Sequence, residues 1–167
     1  ESAVHSDMLI WHPEEEVEVA ALQLLNAFFG VPQMSVHLRN SSEEYLQMIR
    51  HYTSFWKQHA DLIMDGNFIP HNPLGNYPLL EVEKGGHRII GVYDEMLVSL
   101  GDARIIDLLN AKSSSNLGIR YEGPESIFLL RSWDCKGHLQ LSEELNLGKG
   151  LFELSVPAAG RLRLEKV

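Results

Sequence analysis

The feature that most constrains this chain is a change in hydrophobic period along its length. Up to about residue 67 the apolar residues recur at helical spacing. From about residue 68 they alternate with a period of 2 in short runs separated by turn residues. One uniform architecture cannot satisfy both patterns, so a helical stretch must precede a β-rich one. Between them, "NFIPHNPLGNYP" packs three prolines and one glycine into twelve residues, the composition of a linker or of a loop laid over a junction. The boundary falls there, dividing the chain into 1–67 and 68–167.

In the first stretch, His12-Pro13 puts proline at a plausible first helical position. Glu14, Glu15 and Glu16 then place negative charge where the helix dipole is positive. The predicted helix runs to Phe29. Val17, Ala20, Ala21, Leu24, Leu25 and Phe28 form one face, while Val19, Leu22 and Phe29 fill the other, so the helix expects neighbours on more than one side. Gly30 is the expected left-handed stop, and Pro32 prevents resumption. A second helix is predicted from Ser41, which has capping-box spacing to Glu44, through to Gly66. Its stripe of Tyr45, Met48, Ile49, Tyr52 and Phe55 faces away from Glu43, Arg50, Lys57 and Asp61, the pattern of a surface helix.

Beyond the boundary, strands are predicted near 78–84, 87–93, 96–100, 104–110, 117–122, 126–133, 137–142, 151–156 and 161–166. "EKGGH" has the Gly-Gly pair that suits a primed hairpin turn, and Gly137 in "WDCKGH" can take a left-handed position. "RLRLEKV" alternates, which predicts Leu162 and Leu164 buried with Arg161, Arg163 and Glu165 wet.

Composition removes several classes of function. With 167 residues, 44% hydrophobic and 22% charged, the chain is long enough to bury about two thirds of its unfolded surface. A formal net charge of −9 with no cluster of Lys and Arg argues against a nucleic-acid partner. No apolar run reaches the roughly 18 residues that span a bilayer, so no membrane partner is expected. The single cysteine, Cys135, excludes an internal disulfide and leaves the compartment open. A chain that starts on Glu1 without a basic, apolar leader fits a processed protein or a piece of a longer one.

Chemistry-bearing residues are few. His5, Asp7 and His12 are metal-ligand types, but their intervals suit an ordinary hydrogen-bonded segment better, and no metal or cofactor is expected. Cys135 stands beside Lys136 and His138 without an orienting third group, which makes it a passive turn cysteine, and Ser6 lacks a nucleophile elbow. The acidic residues at 14–16 and 143–144 are solvated or dipole partners. Trp56 sits on the apolar stripe, and Trp133 ends a strand. Trp11 differs, because it follows the short apolar "MLI" at the carboxyl end of a strand, where α/β folds gather their ligand groups; its ring there either stacks on the apolar face of a ligand or simply plugs the end.

Two segments, "VHSDMLIWHPEEEVEVAALQLLNAFFGVPQMSVHL" and "FWKQHADLIMDGNFIPHNPLGNYPLL", resemble the C-terminal portion of alpha-galactosidases of glycoside hydrolase family 36, from about residue 3 to about residue 95. The particular features are "HSDML-W-H", "VPQ-SV-L", "FW...H...L-DG" and "NYP". The resemblance implies an α+β fragment: the last strand and helices of a (β/α)8 barrel, followed by a C-terminal antiparallel β-sandwich. "VHSDMLIW" would be the eighth barrel strand, and His5, Asp7 and Trp11 would line the substrate pocket. It also implies retaining hydrolysis of terminal α-galactosides by two aspartates without a metal. The nucleophile of such enzymes lies in a Lys-x-Asp motif, and this sequence has none, so no catalytic residue is assigned and the chain alone is expected to be inactive. A galactose-containing oligosaccharide is the implied partner of the intact enzyme, with self-association through the apolar surface of the first helix. The alternative is a non-catalytic helix-plus-β-sandwich module that binds carbohydrate or protein.

Overall fold

The computed structural model describes residues 5–12 and 14–167, apart from the side chain of Asp7. The predicted helix start at Pro13 lies outside the described residues. β1 (His5–Leu9) leads through α1 (Val17–Asn26) to β2 (Val31–Met34), which lies parallel to β1. α2 (Glu43–Gln58) and α3 (Ala60–Asp65) follow, bent apart at His59. The rest of the chain is strands: β3 (Asn67–His71), β4 (Leu79–Lys84), β5 (His87–Val92), β6 (Leu97–Ser99) and β7 (Ile105–Asn110), then β8 (Asn116–Tyr121), β9 (Ser126–Trp133), β10 (Leu139–Leu147), β11 (Gly150–Ser155) and β12 (Arg161–Lys166).

These strands build two facing sheets. The larger has the order β10-β9-β12-β7-β5-β4-β3, and the smaller β11-β8-β6. Alternation along each strand decides which side chains meet. Ile90, Ile106, Leu108, Phe128, Leu130, Leu162 and Leu164 point to the smaller sheet, where Leu117, Ile119, Tyr121 and Val98 complete one core. Val82, Ile89 and Leu109 leave the opposite face of the large sheet and pack with Leu24, Leu25, Phe28, Met48, Tyr52 and Phe55 of the helical layer in a second core. The result is three layers: helices, large sheet, small sheet.

This architecture corrects the expected fold class. Strands hold 43% of the chain against 24% in helices, and the first 67 residues are not the last strand and helices of a (β/α)8 barrel. Among the described residues the two parallel strands pair only with each other, and the helices cover the large sheet. Nor is the sandwich wholly antiparallel: β5 runs parallel to β7 and β6 parallel to β8. The reason is connectivity, since the chain leaves β5 for β6 in the other sheet before returning as β7, and a crossover of that kind brings strands back in the same direction.

Local chemistry accounts for the smaller differences. Gly30 is not among the glycines with positive φ, so α1 does not end in a left-handed glycine; Ala27 caps it and Trp56 Nε1 donates to the Phe28 and Gly30 carbonyls. Ser42, not Ser41, is the N-cap of α2, its hydroxyl accepting from the Tyr45 amide at 3.4 Å. Gly85 and Gly86 take φ of 60° and 77°, the primed hairpin geometry. Of the large apolar residues on α1 only Val19 is exposed. Arg161 and Arg163 on β12 are covered by the helical layer rather than wet.

Candidate functional site

A cavity of about 210 Å³ opens at the carboxyl ends of β1 and β2. Each strand hands one wall to it. Ile10 and Trp11 follow β1, while Ser35, Val36 and His37 follow β2, and Tyr45 comes up from the first turn of α2. The Trp11 and Tyr45 rings lie 6.2 Å apart and tilted by 32°, making an aromatic floor. Trp11 is only 7% exposed, so the cavity meets one margin of the indole. The Tyr45 hydroxyl donates to the Glu15 carbonyl at 2.6 Å, which ties α2 to the turn before α1; burial, with Glu15 nearby, pushes that phenol upward. His37, Asn40 and Ser41 add polar groups at the rim. No carboxylate lines this cavity among the described residues.

The residues singled out from sequence are not gathered together. Trp11 lines the cavity. His5 sits at the other end of β1, exposed, with its Nδ1 3.0 Å from Gln33 Nε2. The side chain of Asp7 lies outside the described residues. His12 is exposed, and its Nδ1 accepts from the Glu14 amide at 3.3 Å, a cap-like contact. Cys135 is 1% exposed; burial, with Glu18 and Asp134 nearby, pushes its thiol up to about 12, far from thiolate chemistry. Nothing in the spacing of His37 and Asn40 announces a site, because Pro32 hides the short strand that precedes them. Reading "VPQM" as a strand parallel to "HSDML" would have placed "SVHLRN" at its carboxyl end.

A second group of polar residues is buried between the helices and the large sheet. Asp107, fully buried in the central strand β7, lies opposite Arg163 of β12 in the strand register. Arg163 donates to both carboxylate oxygens at 2.9 and 2.8 Å and to His59 Nε2 at 2.8 Å. His87 Nε2 contacts Asp107 Oδ2 at 2.7 Å. The ligand atoms of His59, His87 and Asp107 lie within 4.8 Å of one another, a spacing a metal ion can use. The facing atoms are already hydrogen-bonded, however, and a divalent cation would have to displace the Arg163 guanidinium from Asp107 and His59. The arrangement is an ion-pair network that fastens α2 and α3 to the sheet.

No family model and no curated protein matches the chain. No helix of the described residues is long and apolar enough to cross a membrane.

Proposed function

We propose that this chain is the C-terminal portion of a retaining hydrolase of terminal α-galactosides, in which the cavity at Trp11 receives one sugar ring. The observation that carries the reading is the position of that cavity, with an aromatic floor and a polar rim at the carboxyl ends of two parallel strands, the usual place for ligands in α/β units. Apolar faces of a pyranose pack on aromatic and aliphatic walls such as Trp11, Ile10 and Val36, and its hydroxyls pair with groups such as His37 and Asn40. At about 210 Å³ the space is below the roughly 300–1,000 Å³ of drug-sized sites, which suits one ring rather than a longer oligosaccharide. The sugar identity rests on the family resemblance.

Retention needs two carboxyl groups about 5–5.5 Å apart across the scissile bond. The cavity wall supplies none among its described residues, so the chain is assigned binding and positioning, and the bond-breaking carboxylates are assigned to another part of the intact enzyme. The test is a titration of this chain with methyl α-galactoside, followed by NMR at the Trp11 indole and the Asn40 side-chain amide. Saturable shifts with a Kd near ~1 mM are expected, lost in Asn40→Ala and His37→Ala. Shifts confined to the small sheet would move the reading to a sandwich-borne binding module. Release of sugar from an aryl α-galactoside by this chain would overturn the assignment of the carboxylates elsewhere.

A further inference from the structure

A larger cavity, of about 400 Å³, lies between the middle of α2 and the turn that joins β9 to β10. Its ionisable wall residues are Arg50, His51, Lys136 and Arg161, and no carboxylate lines it among the described residues. Such a concentration of basic groups is unexpected in a chain whose formal net charge is −9.

Arg161 is the fixed element of this wall. Its guanidinium is sandwiched between the Trp133 ring, 3.8 Å from the centroid, and the Phe55 ring at 4.7 Å, a clamp that fixes the plane of the fork. Nε donates to His51 Nε2 at 3.2 Å. That bond requires neutral His51 with its proton on Nδ1, and burial together with Arg161 does lower the imidazole to about 4. The closest carboxylate oxygen, Asp107 Oδ1, is 3.7 Å from Nη1, beyond hydrogen-bonding reach, because Asp107 is already spent on Arg163 and His87. Neither terminal nitrogen of Arg161 therefore has a hydrogen-bond acceptor among the described residues.

The other cations are placed differently. Arg50 and Lys136 pair with Glu43 and Glu44 at 3.0 and 2.9 Å, and both glutamates are largely exposed, so these contacts are weak and exchangeable. Asp134, the remaining nearby acid, is turned inward: Oδ1 accepts from the Lys136 and His138 amides and Oδ2 lies 3.1 Å from the His138 ring. Gly137 leaves room for the wall, since a Cβ there would stand 2.6 Å from His51 Nδ1. A rigid, half-satisfied guanidinium with two further cations at its rim, each paired to an exposed glutamate, is the arrangement that recognises a planar or tetrahedral oxyanion.

We propose that this cavity is a binding site for a small oxyanion, the phosphate or carboxylate group of a soluble molecule, received on the fork of Arg161 and closed over by Arg50 and Lys136. The site is separate from the Trp11 cavity and stands or falls without it.

The test is calorimetric titration of the full chain at neutral pH and low ionic strength with inorganic phosphate, with glucuronate, and with galactose as the neutral control. One saturable site for phosphate or glucuronate, and none for galactose in this cavity, is expected, and the preference between the two anions names the group. Arg161→Lys keeps the charge but loses the fork and should weaken binding by about tenfold or more. Ser54→Asp changes an exposed position on the cavity wall, adds a repelling carboxylate without touching the clamp, and should abolish the site; it decides the matter if the Arg161 variant does not fold. Absence of saturation by both anions below about 10 mM, or affinities unchanged in Ser54→Asp, would overturn the proposal.

Discussion

Asp107 is a charged residue in the middle of the apolar strand "IIDLLN", and that interruption was the one sequence signal of the network around it. Burial works to raise its carboxyl, but hydrogen bonds from His87 and Arg163 outweigh burial and hold it below the usual carboxylate range. The partners, His59, His87, Arg161 and Arg163, come from three different elements. Sequence spacing could not bring them together, and the alternation of β12 suggested a wet face for the arginines. Their chemistry dictates a pH response. Burial lowers His59 and lowers His51 to about 4, so the fold prefers both imidazoles neutral while the unfolded chain protonates them near the ordinary value of 6.5. Stability is then complete above about pH 7 and declines as pH falls from about 6.5 toward 4, with His51 alone contributing on the order of 3 kcal/mol. Asp107, whose carboxyl is lowered from 3.8, adds its own loss only below about pH 4, beyond the acid end of that window. Urea midpoints measured across the range should follow this decline, and His51→Gln should flatten part of it. A wild-type midpoint that stays level down to pH 4 would contradict neutral, buried imidazoles.

At the scale of elements, strands from residue 78 onward were legible because their cross-strand periodicity and their turn residues agree. β2 and β3 were not. Each carries a proline, Pro32 and Pro70, and proline usually marks the end of regular structure. β3 tolerates Pro70 because, among the described residues, it is the outermost strand of the large sheet and pairs only with β4. The break between α2 and α3 at His59 has no glycine or proline to announce it, and at that break His59 Nε2 accepts from Arg163. The N-cap is a finer case, since Ser41 and Ser42 are adjacent and the capping-box spacing favoured the wrong one. Ser41 spends its hydroxyl on the His37 carbonyl, while Ser42 holds the Tyr45 amide. Ser42→Ala should therefore cost about 1 kcal/mol and Ser41→Ala clearly less. Equal losses in chemical denaturation would return the cap to Ser41.

For the whole molecule, the decisive fact is that one sheet serves two cores. On β5, Ile89 and Ile90 are adjacent and almost wholly buried, yet they point to opposite sides, Ile89 into the helical layer and Ile90 toward the small sheet. The change of period at residue 67 located the transition from helices to strands, but periodicity carries no information about which face of which sheet the helices cover. If the sheet couples the two cores, the molecule unfolds as one unit. The three tryptophans can report on this, because Trp11 and Trp56 pack with the helical core and Trp133 lies under Arg161 on the same side of the sheet. Ile89→Ala and Ile90→Ala each remove a buried side chain and should each cost about 2–5 kcal/mol. Because the fluorescent probes all sit on the side of Ile89, the informative variant is Ile90→Ala: its cavity is on the far side, and only a cooperative sheet can transmit the loss. Tryptophan fluorescence should show a single urea transition, displaced to lower denaturant by both substitutions. A tryptophan transition left in place by Ile90→Ala, alongside an earlier change in far-ultraviolet circular dichroism, would mean that the two sides of the sheet melt independently.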